Sequence, residues 1–415
     1  MFGSRSWAGQ PAQGRRAVAR NLALDLVAAI GIGVTASLVN ALLPTIARRS
    51  GLEPLGLAAL AAAPFIANLL GAFAGRFGPR SAAQLAMIRG AGAMALLVLF
   101  VVPTPAAMIA VVVAFWLSLS MTGPFHLRLW GAMYPKRVVG RVVGFLGMGR
   151  AAAGAVAAFV GGMAADRMGG PAAVAMAGIV GIGCAVAYAG LSARSNEPPR
   201  AFSARESVGA LRERPVLSRV AVAQGFYGGG LIAAVPLYAL VHVDRLDLTL
   251  SDVGLIGILA ATATTIAFPL WGAVADRHGP LTALRAGSAL GALSLVGYAL
   301  APNVAVLWGM ALALGAANAS IDVGIAAIIS SQTPLSARSA AMAGWNTVTG
   351  ARGIAAAFLM SALLSLGLVN VTSALVLCSL SAAIGVALYV RADLTSAKTE
   401  PTPLPALTDV RGAAA

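Results

Sequence analysis

Two acidic residues, Asp25 and Asp322, stand inside long apolar runs of a chain that holds only 14 Asp and Glu in 415 residues. Arg150 and Arg352 are placed in the same way. A charge at the centre of a bilayer costs about 2.5–3.5 kcal/mol on insertion scales. Such side chains are therefore expected to face the interior of a bundle and to have partners. A carboxylate whose water and neighbours can be exchanged is a natural proton carrier, because both change its proton affinity, and Asp322 is the carboxylate expected to couple transport to protons.

Depth arithmetic restricts the pairs. Asp322 lies eight residues from Ser330, about 12 Å along a helix, and Arg352 lies thirteen from Ser339, about 20 Å. An arginine side chain spans much of that difference, so an Asp322–Arg352 pair is geometrically admissible. Asp25 follows Leu22 by three residues, which predicts a shallow site. It reads either as an interfacial cap or as a partner of Arg150 or Arg128. Gln224 and Asn318, with Asn40, Asn68, Tyr227 and Asn346, could bond a solute. Each could equally bond a neighbouring helix, at about 0.6 kcal/mol. His126, His242 and His278 are too dispersed for a metal site, and Cys184 and Cys378 sit in apolar runs without a ligand pattern. No H-E-x-x-H, G-x-S-x-G or Walker A sequence is present. No catalytic residue, metal or cofactor is expected, and the chain does not read as an enzyme.

The elements that position these residues follow from composition. The chain is 59% hydrophobic and 10% charged, against about 25% charged in ordinary globular proteins. Lipid must therefore solvate most of its surface. The apolar runs are long and continuous, as in Ala106–Thr122, rather than alternating stretches of about 10 residues, so they predict helices and not barrel strands. Twelve spans are expected: 22–47, 54–75, 84–103, 105–131, 138–163 and 172–192, then 217–241, 252–275, 281–301, 304–330, 339–364 and 367–391. Glu53-Pro54, Pro103-Thr104-Pro105, Gly169-Gly170-Pro171 and Ala301-Pro302-Asn303 mark turns between them.

This divides the chain into a basic tail (1–21), a six-helix bundle (22–192), an arginine-rich linker (193–216), a second bundle (217–391) and a disordered tail (392–415). With both termini cytoplasmic, 23 of the 29 basic residues fall on inward segments and four on outward ones. The positive-inside rule then fixes the orientation. The net charge of +15 is explained by an anionic inner leaflet, with no nucleic-acid partner.

The halves echo each other. Gly71-Ala-Phe-Ala-Gly75-Arg76-Phe-Gly78-Pro79-Arg80 closes the second span, and Gly272-Ala-Val-Ala-Asp276-Arg277-His-Gly279-Pro280 closes the eighth, 201 residues later. Pro135 to Phe159 is repeated by Pro334 to Phe358, with Gly154 matching Gly353. Parallel six-helix repeats are a transporter signature. The paired G-x-x-x-(D)-R-x-G segments resemble the loop motif of the major facilitator superfamily, over about Leu22–Val390. The resemblance implies an all-α fold of twelve transmembrane helices in two pseudo-symmetric bundles. It also implies a central cavity lined by the first, fourth, seventh and tenth spans, which brings Asp25, His126 and Asp322 near it.

By the same resemblance Gly71, Arg76, Gly78, Arg80, Gly272, Asp276, Arg277 and Gly279 belong to a gate whose Asp engages a helix N-terminus across the halves. The first copy has Gly75 where the Asp would stand, and Leu281 replaces the closing basic residue of the second. Met163-Ala-Ala-Asp166-Arg167-Met-Gly169 resembles a further copy on the outer side, or forms a tight turn with a cationic anchor. Gly144, Gly147, Gly149, Gly154, Gly161 and Gly162 lack the Gly-Pro of the family's antiporter motif and read as close helix packing.

The expected function is secondary active transport by alternating access: proton-coupled export of a small organic, drug-like compound by a monomer in a bacterial inner membrane. One alternative is uptake of an organic anion held by Arg150 and Arg352. Another, of a different class, is a receptor or scaffold that keeps the fold without transport.

Overall fold

The computed structural model of the chain describes residues 12–73, 79–134, 139–192, 204–334 and 337–392. They form helices joined by short turns. The first half comprises α1 (Ala12–Ser37), α2 (Leu43–Arg49), α3 (Pro54–Phe73), α4 (Ala82–Ala95), α5 (Pro105–Met133), α6 (Val139–Met168) and α7 (Gly170–Ala185). A short α8 (Ala204–Arg212) leads into the second half. That half comprises α9 (Pro215–Leu240), α10 (Leu250–His278), α11 (Pro280–Leu300), α12 (Val304–Gln332), α13 (Arg338–Ser365) and α14 (Val371–Arg391). Eleven of these rods are long and apolar enough to cross a membrane, and Pro54–Leu70 is a shorter apolar helix. Together they are two pseudo-symmetric bundles of six.

Local chemistry sets the starts. Proline occupies the first turn of α5, α7, α9 and α11, where its missing N–H goes unused. Thr104, Thr249, Asn303 and Asn370 cap α5, α10, α12 and α14 by accepting from first-turn amides. Gly169 and Gly279, which close the two D-R-x-G segments, have φ of 95° and 88°. That backbone favours glycine and allows α6 to turn at once into α7, and α10 into α11.

One boundary departs from the expectation. Composition predicts a tail over 1–21, yet helix begins at Ala12, because Arg15, Arg16 and Arg20 are good helix formers that continue the first span. The linker expected over 193–216 carries the short helix α8 in its described part. The tails at 1–11 and 393–415 lie outside the described residues.

The first and seventh rods each contain a π-turn, Leu38–Leu42 between α1 and α2 and Val241–Arg245 after α9. Such turns break regular hydrogen bonding and often mark functional positions. The halves meet where α6 packs on α10 and α13 on α3. Glycine makes both contacts close. A Cβ on Gly162 would stand 2.3 Å from the Leu250 carbonyl oxygen, and one on Gly254 2.4 Å from that of Ala158. A Cβ on Gly353 would strike the Phe65 ring. Large apolar side chains such as Met87, Val101 and Leu366 are exposed, as a lipid-facing surface requires.

Candidate functional site

One stripe of α5 organises the first half. Thr122, His126 and Trp130 recur every four residues and Tyr134 caps the helix, so all four project along one side. They converge on Asp25 of α1, whose side chain is fully buried. His126 Nε2 lies 2.8 Å from Asp25 Oδ1, while Trp130 Nε1 donates to Oδ2 at 2.6 Å and Tyr134 Oη at 3.4 Å. Beside them Arg89 of α4, 8% exposed, donates from Nε to Thr122 Oγ1 at 2.9 Å and from Nη1 to the Tyr188 hydroxyl. Its guanidinium lies over the Tyr188 ring, 4.9 Å from the centroid. A buried carboxylate with three donors and a buried guanidinium with two acceptors satisfy each other's neighbourhood at low dielectric.

This network forms the floor of a cavity of about 580 Å³, within the range of small-molecule sites. Asp25, Arg89, His126, Trp130, Tyr188 and Arg150 face it from the first half, with Trp116 and Asn68. Ala343, Asn346 and Thr347 of α13 face it from the second. Arg150 is exposed there and makes no hydrogen bond or ion pair among the described residues.

The positions found and the positions expected differ. Asp25 is not a shallow cap: the helix starts thirteen residues before it, so it sits on the fourth turn and is enclosed. The Asp322–Arg352 pair is not formed. Arg352 instead leans on α9, donating from Nη1 to the Gln224 carbonyl at 2.5 Å and covering Gly228. Asp322 and Asn318 are exposed on one face of α12, four residues apart, outside the cavity lining. The charge acting on Asp322 is that of Arg150, across the halves. Gln224 is buried and accepts from the Tyr389 hydroxyl through Oε1.

Sequence reasoning misses Arg89, Tyr188, Trp130 and Tyr134 as site residues. By sequence Arg89 counts among the basic flanks of the third span, although α4 begins at Ala82 and carries it into the bundle. The four-residue recurrence of Thr122, His126, Trp130 and Tyr134 is a readable signal.

The gate residues divide by end. Hydrogen bonds between the halves cluster where α2 ends and α10 begins. Asp166 Oδ1 accepts from the Leu250 amide and Oδ2 from that of Ser251, both at 2.9 Å. Those amides are first-turn donors of α10 that the helix itself leaves unpaired. Arg48 pairs with Asp244 at 3.0 Å, Arg49 donates to the Leu248 carbonyl, and Thr45 Oγ1 lies 3.4 Å from His242 Nδ1. At the opposite end Asp276 and Arg277 are exposed without a partner among the described residues. Arg80 is exposed too, its amide bonded to Gln84. Arg76 and Gly78 lie outside the described residues, as does the side-chain environment of Gly71. A Cβ on Gly144 or Gly147 would meet nothing described within 4 Å, whereas Gly149, Gly154, Gly161 and Gly162 face close neighbours as expected; one on gate-motif Gly272 would likewise meet nothing described.

Among curated proteins none matches the sequence. The family model described as Major Facilitator Superfamily matches residues 25–249 and 220–412. Among solved structures, the nucleoside transporter NupG is similar, with a TM-score of 0.69 and 12% identity, over 90% of this chain and 98% of that one. A peptide transporter, POT, in complex with sulfate gives 0.70 and 14%, over 90% and 93%. A bacterial homolog to the human lysosomal transporter Spinster, in an inward-facing and occupied conformation, gives 0.66 and 13%, over 92% and 97%.

Proposed function

The chain belongs to the major facilitator superfamily, and from that premise we propose that it is a proton-coupled secondary transporter of a small, partly apolar organic solute. The proton site is the Asp25–His126 pair, and the solute site is the cavity above it. The 2.8 Å contact between the two side chains at the cavity floor carries the reading. Such a pair can take up or release a proton when solute or water changes its surroundings, and alternating access supplies that change.

The orientation expected from the basic residues, with termini cytoplasmic, makes the bonded end the outer one. The structure is then inward-facing, with Asp166, Arg48 and Arg49 holding the outer gate shut. The expectation of a drug-like solute rests on a cavity with few charges. Five titratable side chains, Asp25, Arg89, His126, Arg150 and Tyr188, line it instead, which favours a polar head on the solute.

The test is flux in proteoliposomes holding the full chain. Asp25→Asn and His126→Gln are expected to retain solute exchange but to lose all dependence on an imposed pH gradient, whereas Asp322→Asn keeps it. Gradient-driven flux that survives Asp25→Asn and fails in Asp322→Asn overturns the assignment.

A further inference from the structure

We infer that the solute carries a single anionic head, bound by Arg150, on an aromatic body; this rests on the transport reading above. The cavity's charges are not equally available. Asp25 is occupied by His126, Trp130 and Tyr134, and Arg89 by Thr122 and Tyr188. Both are buried, so as formal charges they cancel inside the wall. Arg150 remains, exposed in the cavity with its guanidinium unbonded among the described residues. Asp322 on the far half acts on it through space but makes no ion pair with it.

A guanidinium offers a fork of donors that matches a carboxylate edge. From the opposite wall Asn346 presents an exposed amide, likewise unbonded among the described residues. Trp116 and Trp130, both partly exposed, supply flat apolar faces to the same space, where a ring would be buried. Arg352, the second arginine considered as an anion ligand, is held against Gly228 of α9 and takes no part. An anion at Arg150 and a proton on the Asp25–His126 pair attract each other within one cavity. Each therefore favours binding of the other, and the coupling that follows is cotransport.

Three probes share one ring system and differ in charge: 2-naphthoate, 2-naphthamide and 2-naphthylmethylamine. Thermal unfolding of the solubilised full chain is measured against each. Naphthoate alone is expected to stabilise it in a saturable way. Arg150→Gln is expected to weaken naphthoate by about tenfold or more, the value of a lost charged hydrogen bond. Arg150→Lys keeps part of the binding, and Asp322→Asn tightens it by removing the competing carboxylate. Preference for the amide or the amine, no binding by any probe, or naphthoate affinity unchanged in Arg150→Gln overturns the inference. The two proposals fail separately. Amine flux driven by a pH gradient removes the anion and keeps proton coupling. Naphthoate binding that needs Arg150, with flux indifferent to pH, does the reverse.

Discussion

The two halves fold alike but differ in charge at matching positions. Asp25 in α1 corresponds to Gln224 in α9, and Arg89 in α4 to Ser288 in α11, each at an offset of 199 residues. Tyr188 corresponds to Tyr389 at 201. At the 199 offset the α5 stripe of Thr122, His126 and Trp130 falls on Ile321, Ile325 and Ile329 of α12. A buried tyrosine is kept at this position, although its partner changes: Tyr188 accepts from Arg89 of α4, whereas Tyr389 donates to Gln224 of α9. The titratable chemistry is not kept. Repetition preserves the shape of the bundle, and the proposed proton site lies in the copy whose helix stripe is polar.

The largest effect should come from crossing that difference. Asp25→Asn is expected to reduce gradient-driven flux to background, while Gln224→Glu in the other half leaves it as it was. Equal loss in both variants would break the contrast.

A second comparison concerns stability. Gly31 and Gly230 also correspond at 199, and a Cβ on either would meet an obstacle at 2.3 Å: the Cys184 Cβ in one half, the Cys378 carbonyl oxygen in the other. Each Gly→Ala should cost about 1–3 kcal/mol by overpacking, read as a lower unfolding midpoint. Cys184→Gly should rescue Gly31→Ala. No side-chain change at Cys378 should rescue Gly230→Ala, because there the obstacle is backbone.

The fold is legible from apolar run length, turn residues and the internal echo, all of which depend on local sequence. The site is legible only in part. Asp25, His126, Arg150, Asn68 and Asn346 stand out by type and position, but which residues meet depends on helix rotation and on where each helix starts. Ala12 and Ala82 begin α1 and α4 early enough to draw Asp25 and Arg89 inside, and basic residues near a span's end give no sign of that. The Asp322–Arg352 pairing fails for a similar reason: depth permits it, but Arg352 turns toward the α9 glycines.

The two ends of the molecule differ as sharply as the halves. Asp166→Asn removes a charged acceptor from the first turn of α10 and should cost about 0.5–2 kcal/mol of gate closure. Spin labels at Glu53 and Leu368 should then report a larger share of wide distances. Asp276→Asn at the other end should leave that distribution unchanged. The smallest effect is expected for Arg48→Ala, at most about 1 kcal/mol in the same assay, because the Arg48–Asp244 pair is partly exposed.

Residence of the proton in the first half is tested most directly by infrared difference spectra of the full chain between acid and neutral pH. The main side-chain protonation signal should vanish in both Asp25→Asn and His126→Gln and persist in Asp322→Asn. A signal that survives the first two substitutions and disappears with the third would contradict it.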